Sequence, residues 1–506
     1  MSRAASQLTV QIERRDFSGP LRLSGLAWTV DNLTWRAVGG PATAVLYAAS
    51  RGSAELWALA DLLRCPVTLC DRQAPAWWGF VQAVEIQQAG QAVRISLDGM
   101  ASSVSVAYRE YSPIQPGGAG AWQHAPWVVD ETCADIYGSK QGLFTLGPGL
   151  PDEAAAFAAA LLKRYARPQV SYGPGRAEKD LTARVECRGW WETLDWQFYQ
   201  TQRGALEHRL SGAGQPIGST AACLKAAQPI QLSAEQACGL GELWLRLRKT
   251  GSPADGLRAA VCRDLNGLPG ALIEEVEVQS SAVGADWDWV RFLFGGAALP
   301  AGEPLWLVLS RAGAPDAAHH YLCSADESPS QPFGALMLYD GAAWSARGPA
   351  ATLSFILRGV EESTRQIADM LAAPCGQFFS GVRIETGPGP LAWVYRAGAE
   401  RARTEIERLL NEGTAAEGRL LARVEPDRTV RVFPQPPAES ARLKFNLGGM
   451  IVRADGRRLL PSEWPAGQWV SLDELRAAGG LAAINAVTWV DCCAWLDDRF
   501  SGLIDE

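Results

Sequence analysis

Apolar side chains fall at every second position through much of the first hundred residues, and this pattern limits the possible folds more than any other feature of the chain. Leu8, Val10 and Ile12 alternate with Thr9 and Gln11, Leu21 and Leu23 follow, and the spacing returns at Val84 and Ile86 and again at Val93, Ile95 and Leu97. Successive side chains of an extended chain point to opposite faces, so this spacing buries one face and wets the other. Gly and Pro punctuate the runs. Residues 1–110 therefore read as short antiparallel strands closing into a β-barrel or sandwich. One short helix is predicted over 53–63, where Leu56, Leu59, Leu62 and Leu63 share a face.

At 506 residues the chain exceeds what one core supports, and roughly three to five modules are expected. Residues 112–128 hold Pro113, Pro116, Gly117, Gly118, Gly120 and Pro126 and read as a turn-rich connector. Asp152 and Glu153 then precede an alanine-rich run that ends near Lys163 and Arg164, with Pro168 beyond it, which is the charge order a helix dipole favours. Alternation resumes at Leu181, Ala183, Val185 and Cys187. A second helix is predicted over 397–411, with Ala402, Ile406, Leu409 and Leu410 inward and Arg401/Glu405 and Arg403/Glu407 as i,i+4 pairs, before strands over 419–433. The recurrence of a helix followed by strands, with a lesser echo of Ala183-Arg184-Val185-Glu186 in Ala422-Arg423-Val424-Glu425, suggests two related halves.

Between them, residues 218–360 have no long helical period and give strands at regular intervals: 243–247, 259–262, 289–294, 305–309 and 353–357. That spacing predicts an inserted β-sandwich of the jelly-roll kind. The expected fold is thus mainly β and multidomain. Its parts are an N-terminal β-barrel domain (1–110), an α+β domain in two pieces (111–217 and 361–440), the inserted sandwich (218–360) and a C-terminal β-rich segment (441–506).

Composition narrows the function classes. A net charge of −8 offers no general attraction for phosphate backbones, which sets nucleic-acid recognition aside. No apolar run opens the chain as a signal peptide would, and none reaches the ~18 residues of a membrane span. The 11 cysteines are scattered, as expected of reduced buried thiols. Neither Cys65 with Cys70 nor Cys492 with Cys493 has zinc-site spacing. The 20 tryptophans are the unusual feature, since Trp combines a large apolar ring with a donor and is favoured at interfaces.

Several ordered segments resemble hub and tail-tip proteins of long-tailed phages and related contractile particles. They are WWGFVQAVEI (77–86), VRISLDGMASSVSVAY (93–108), Tyr137-Gly138 ahead of the alanine helix, and CRGWWETLDWQFY (187–199). The resemblance implies a barrel hairpin in the first pairing, a second small domain starting at the Gly-Trp-x-x-Thr-Leu run, and a structural, non-enzymatic protein of the virion tail assembled in the host cytoplasm. It implies a ring, trimeric by preference, whose partners are the tail tube, distal-tail and spike or fibre proteins. A distal-tail ring, a free-standing glycan-binding adhesin and a carbohydrate-active enzyme are the alternatives. The middle block is similar to carbohydrate-binding jelly-roll domains through KTGSPAD (249–255), DLNGLPG (264–270) and LPAGEPLWLVLS (299–310), which implies a host-surface glycan as ligand.

No catalytic set is assigned and no cofactor is expected. The four histidines are His124, His208, His319 and His320; only His319 and His320, shortly before Cys323, could suggest a metal, and a turn and strand feeding Tyr321 explain them better. Glu274/Glu275 and Asp286/Asp288 are acid pairs of the kind a glycosidase uses and a solvated edge also carries. Aromatic residues are the better clue. Trp287, Asp288, Tyr339, Asp340 and Trp344 are the candidate glycan-binding residues, because flat rings stack on sugar faces while carboxylates take hydroxyls. Among the sandwich tryptophans, Trp289 is expected in the core, since it leads into 290–294, and Trp344 on the surface after its Gly-containing loop. Asp264 and Asn266 are calcium candidates, although Asp, Asn and Gly favour a tight turn without any ion.

Overall fold

The computed structural model describes residues 8–71, 74–88, 90–111, 119–175, 182–201, 203–210, 212–234, 236–327, 333–347, 351–372, 374–394 and 396–435, with two short strands at Lys444–Phe445 and Ile451–Val452. The fold is mainly β, in several antiparallel sheets, and divides into two compact units. One comprises 1–199, 367–388 and 400–506; the other comprises 200–366 and 389–399. Most of 441–506, including Cys492 and Cys493, lies outside the described residues.

The first unit is built on an eight-stranded sheet, in the order Leu8–Ile12, Pro66–Asp71, Ala74–Gln88, Thr182–Arg188, Gly40–Ala49, Ala27–Arg36, extended by Gln91–Ser96 and Gln169–Pro174. The alternating strand Thr182–Arg188 buries Ala183, Val185 and Cys187 and sits between two strands from the first hundred residues. A boundary near residue 110 therefore does not separate two folding units: long-range ladder partners leave no local trace in a sequence. The Gly189-Trp190-Trp191 run likewise opens no separate domain. It is a 3₁₀ turn, Trp190–Trp196, whose rings pack with Phe80 and Phe378 in this same unit.

A second sheet centres on Ser103–Tyr111, with parallel Gln141–Gly149 on one side and Ala119–His124 and Val128–Val129 on the other. The connector expected over 112–128 thus contains strands. Helix Pro151–Tyr165 turns Ala154, Ala158 and Leu162 inward, and Glu153 accepts a hydrogen bond from the Leu150 amide at its start. The second predicted helix is Ala402–Glu412, which starts five residues later than expected, because 396–401 is extended. It buries the four predicted apolar residues. Arg403 pairs with Glu407 as expected, whereas Glu405 pairs with Arg408 and the Arg401 guanidinium stacks over Phe198.

The second unit is a β-sandwich. Its larger sheet centres on Cys238–Thr250, flanked by Asp288–Leu293 and Ala298–Leu299 on one edge and by His320–Asp326 and Phe355–Glu362 on the other. Ala205–His208 and Ala213–Ile217 complete it from before residue 218, so the sandwich starts earlier than composition suggested. Those short strands have too few apolar residues to stand out alone. The smaller sheet runs Leu268–Val278, Leu257–Leu265, Pro304–Arg311, Lys225–Gln231, Met337–Tyr339, Trp344–Ala346. Leu243, Leu245, Leu247 and Phe292 of one sheet face Leu257, Val261, Leu305 and Leu307 of the other in one core. Each such side chain contributes about 1.5–3 kcal/mol.

Candidate functional site

The site starts from an Asn-Gly hairpin. Leu265 and Leu268 pair across Asn266 and Gly267, which both have positive φ (54° and 81°), the backbone a two-residue turn needs to match strand twist. Asp264 closes it. One carboxylate oxygen accepts the Gly267 amide at 2.9 Å and the other accepts the Trp306 indole N–H at 2.7 Å. The amide of Gly267 first, then the indole, hold this carboxyl below its usual 3.8. Of the two calcium candidates, Asp264 is thus held by the turn amide and the Trp306 indole, and Asn266 supplies a positive-φ position of the turn.

Trp306 leads to the aromatic pair. The Pro304–Arg311 strand is apolar on both faces: Leu305, Leu307 and Leu309 enter the core, and Trp306 and Val308 point outward with Ala227, Ala260 and Cys262. Trp344 and Met337 pack on this outward patch, and Trp306 keeps only 4% of its surface exposed. Trp344 lies directly across the strand pair from Tyr339, ring centroids 5.1 Å apart. Lys225, on the next strand, places its ammonium 5.7 Å from the Tyr339 ring. The outer face of the smaller sheet therefore offers half-exposed rings over an apolar floor, with the Lys225 ammonium beside Tyr339 and the Asp264 carboxylate on the Trp306 indole. Sequence reasoning missed Trp306, Met337 and Lys225; the signal was Trp306 standing out of phase with the leucines around it.

Asp340 has a different part from the one expected. Its Oδ1 accepts the amides of Ala342 and Ala343, both at 2.8 Å, and these backbone bonds keep its carboxyl below the usual range. It shapes the loop between Tyr339 and Trp344. Trp287 and Asp288 belong to the other sheet, beside Cys238–Thr250, so the structure splits the five candidates into two groups on different sheets. Trp289 corrects an expectation as well. Val290 and Phe292 take the inward positions of its strand, which leaves Trp289 half-buried on the outer face. A ring beside an apolar run still follows the strand's two-residue period.

His319 and Glu274, among the remaining chemical candidates, have structural partners. His319 is exposed and accepts the Ser252 amide, whereas Cys323 points into the core, where burial pushes its thiol up to about 12. Glu274 accepts the backbone amides of Gly295 and Ala297. Cys65 and Cys70 are buried free thiols raised by burial. No group of three metal-ligating side chains occurs among the described residues.

One prediction concerns the Asp264 anchor. Asp264→Ala leaves the buried Trp306 donor without an acceptor, which costs about 1–3 kcal/mol. Asp264→Asn retains an acceptor and should recover much of the loss. Because the folded-state pKa is depressed, this support is present above about pH 4 and fades as pH falls through the depressed value. Thermal melts of both variants at pH 7 test it, and equal midpoints for Ala and Asn would remove the anchor role.

No known protein family matches the sequence, and no curated protein does. Similar solved structures include the cysteine protease and lectin-like domains of Cwp84, a surface layer associated protein of Clostridium difficile. That match has 9% identity and a TM-score of 0.23, over 36% of this chain and 40% of that one. A glycoside hydrolase family 43 arabinoxylan arabinofuranohydrolase from Bacillus subtilis matches at 12% identity and a TM-score of 0.16, over 56% and 63%. The chain spans less than two thirds of either.

Proposed function

We propose that this protein is a structural component of a phage or phage-like tail, a hub or tail-tip ring, whose sandwich unit attaches to host-surface glycan through the Tyr339–Trp344 face. The observation that carries this reading is a half-exposed aromatic pair, 5.1 Å apart, mounted on a sandwich spliced into another β-rich unit. Rings held by a rigid hairpin stack on sugar with little entropy to lose, and a few such anchors supply most of the affinity. The ring is supported by the first unit's surface: Tyr172 is 82% exposed on an outer strand, and Val170, Trp122 and Phe157 are also exposed. Contiguous apolar surface left in water marks faces that assemble, and Val170 and Tyr172 share one face of their strand.

The test uses full-length protein with Tyr339→Ala and Trp344→Ala. Each should stay folded and lose at least tenfold in binding to host cells, with electron microscopy showing a trimeric ring in both. Unchanged cell binding would remove the glycan face. A sixfold ring would favour a distal-tail component, and a monomer that still binds cells would favour an adhesin.

A further inference from the structure

The outer face of the sandwich's larger sheet carries a second set of rings and charges, which the Tyr339–Trp344 face does not use. Along Cys238–Thr250, Leu243, Leu245 and Leu247 point into the core, so Trp244, Arg246 and Arg248 point out. The neighbouring strand sets Trp289 directly opposite Arg246, and Arg248 lies over the Trp287 ring, 4.9 Å from its centroid. Trp393 packs over Gly241 on the same face, where any side chain at 241 would meet its ring. Rings and guanidiniums face one another across the two strands, Trp244 opposite Arg291 and Arg246 opposite Trp289.

The charges on this face are unequal in kind. Arg291 is neutralised by Glu242 while reaching the rings of Trp244 and Trp393. Arg246 and Arg248 pair with no carboxylate among the described residues, and the buried Nε of Arg248 has no hydrogen-bond partner. Two unpaired guanidiniums, one over the Trp287 ring and one across the strand pair from Trp289, keep their charge, because Arg does not deprotonate, and lose part of their hydration. Their missing partners are anions.

We infer that this face binds an acidic polysaccharide, its sugar rings stacking on Trp289 and Trp244 and its carboxylates or sulfates pairing with Arg246 and Arg248. A peptide strand is the weaker occupant. The backbone groups of Cys238–Thr250 are consumed by ladders on both sides, so the strand that carries Trp244, Arg246 and Arg248 offers planes and point charges but no hydrogen-bonding edge of the kind peptide strands add to. The inference is independent of the tail reading. It also requires no binding at Tyr339 or Trp344.

Native gel electrophoresis of the full-length protein through embedded polymer tests it, with polygalacturonate as the carboxylated probe, dextran sulfate as the sulfated one and dextran as the neutral control. A chain of net charge −8 is repelled by polyanions in general, so retardation reports a local patch. Polygalacturonate or dextran sulfate should retard the protein, dextran should not, and the effect should weaken as salt shortens the screening length. Which polymer retards it identifies the acidic group. Arg246→Gln with Arg248→Gln should lower the affinity at least tenfold without moving the thermal midpoint, the paired Lys variants should recover part of it, and Trp289→Ala should weaken binding while Trp344→Ala leaves it unchanged. The inference fails if neither polyanion retards the protein, if dextran retards it equally, if the paired Gln variant binds as well as the parent, or if polyglutamate or duplex DNA binds as tightly as the best polysaccharide.

Discussion

Trp78→Ala should lower the thermal midpoint of the first unit by on the order of 10 °C, from a loss of about 3–5 kcal/mol. Trp78 is buried, with its ring edge-on to Trp35 at 5.0 Å, and its indole N–H donates to the Val424 carbonyl at 2.9 Å. The amide of Gly39 donates to Ala422 at 2.7 Å beside it. These contacts fasten strand Leu420–Val424 to segments more than three hundred residues earlier. Closing so long a loop adds little beyond a short one, because the entropic cost grows only with the logarithm of length, so a few buried contacts suffice to hold the far segment. Trp78→Phe keeps most of the ring and leaves the Val424 carbonyl without its donor, at about 1–2 kcal/mol. Hydrogen exchange of the 420–424 amides should quicken in both variants, more in Ala. A midpoint within 2 °C of the parent for Trp78→Ala would show that the fastening lies elsewhere.

The elements that could be read from the sequence are those whose stability is local. Ala183, Val185 and Cys187 alternate and are buried as they alternate; Ala402, Ile406, Leu409 and Leu410 line one helical face and lie inward. The Asp264-Leu265-Asn266-Gly267 stretch reads as a tight turn, and Asn266 and Gly267 form it between paired strands. Pairing between distant strands was not legible, because a ladder depends on which strands meet, and nothing in Thr182–Arg188 says that it joins Gly40–Ala49. The same holds for the site. Tyr339 and Trp344 are close in sequence and meet across a hairpin, whereas Trp287 appeared to belong with them only because the sheet that carries it was unknown. The tetrapeptide echo shows this limit too: residues 183–186 sit in the eight-stranded sheet, and 422–424 in a three-stranded one with Gly381–Ile384 and Thr429–Pro434.

Arg403→Met is the other substitution with a large expected effect, and charge rather than volume makes it so. Arg403 is mostly buried, and its guanidinium reaches Glu192 and Asp195, both at 3.0 Å, and Glu407 at 2.7 Å. Glu407 also accepts the Trp191 indole N–H at 3.1 Å, and Glu192 also holds Arg36. Burial pulls the Arg403 guanidinium down, but Glu192, Glu407 and Asp195 outweigh it and hold the group above its usual value. Met preserves much of the stem and its packing, so the loss isolates the carboxylates left without their cation. Removing one member of a buried ion network costs about 3–5 kcal/mol; Asp195 and Glu407 are partly exposed, which brings the expectation to about 3 kcal/mol. A raised folded-state pKa gives stability that is complete below the unfolded pKa and lost only as pH climbs through the folded one, so the difference between variant and parent should stay constant from pH 6 to 9. Adding Glu192→Gln to Arg403→Met should recover part of the loss, because it removes one of the stranded charges. Urea titrations of the parent, the single variants and the double variant give the coupling directly, and strict additivity of Arg403→Met and Glu192→Gln would show that the two side chains do not act as a pair.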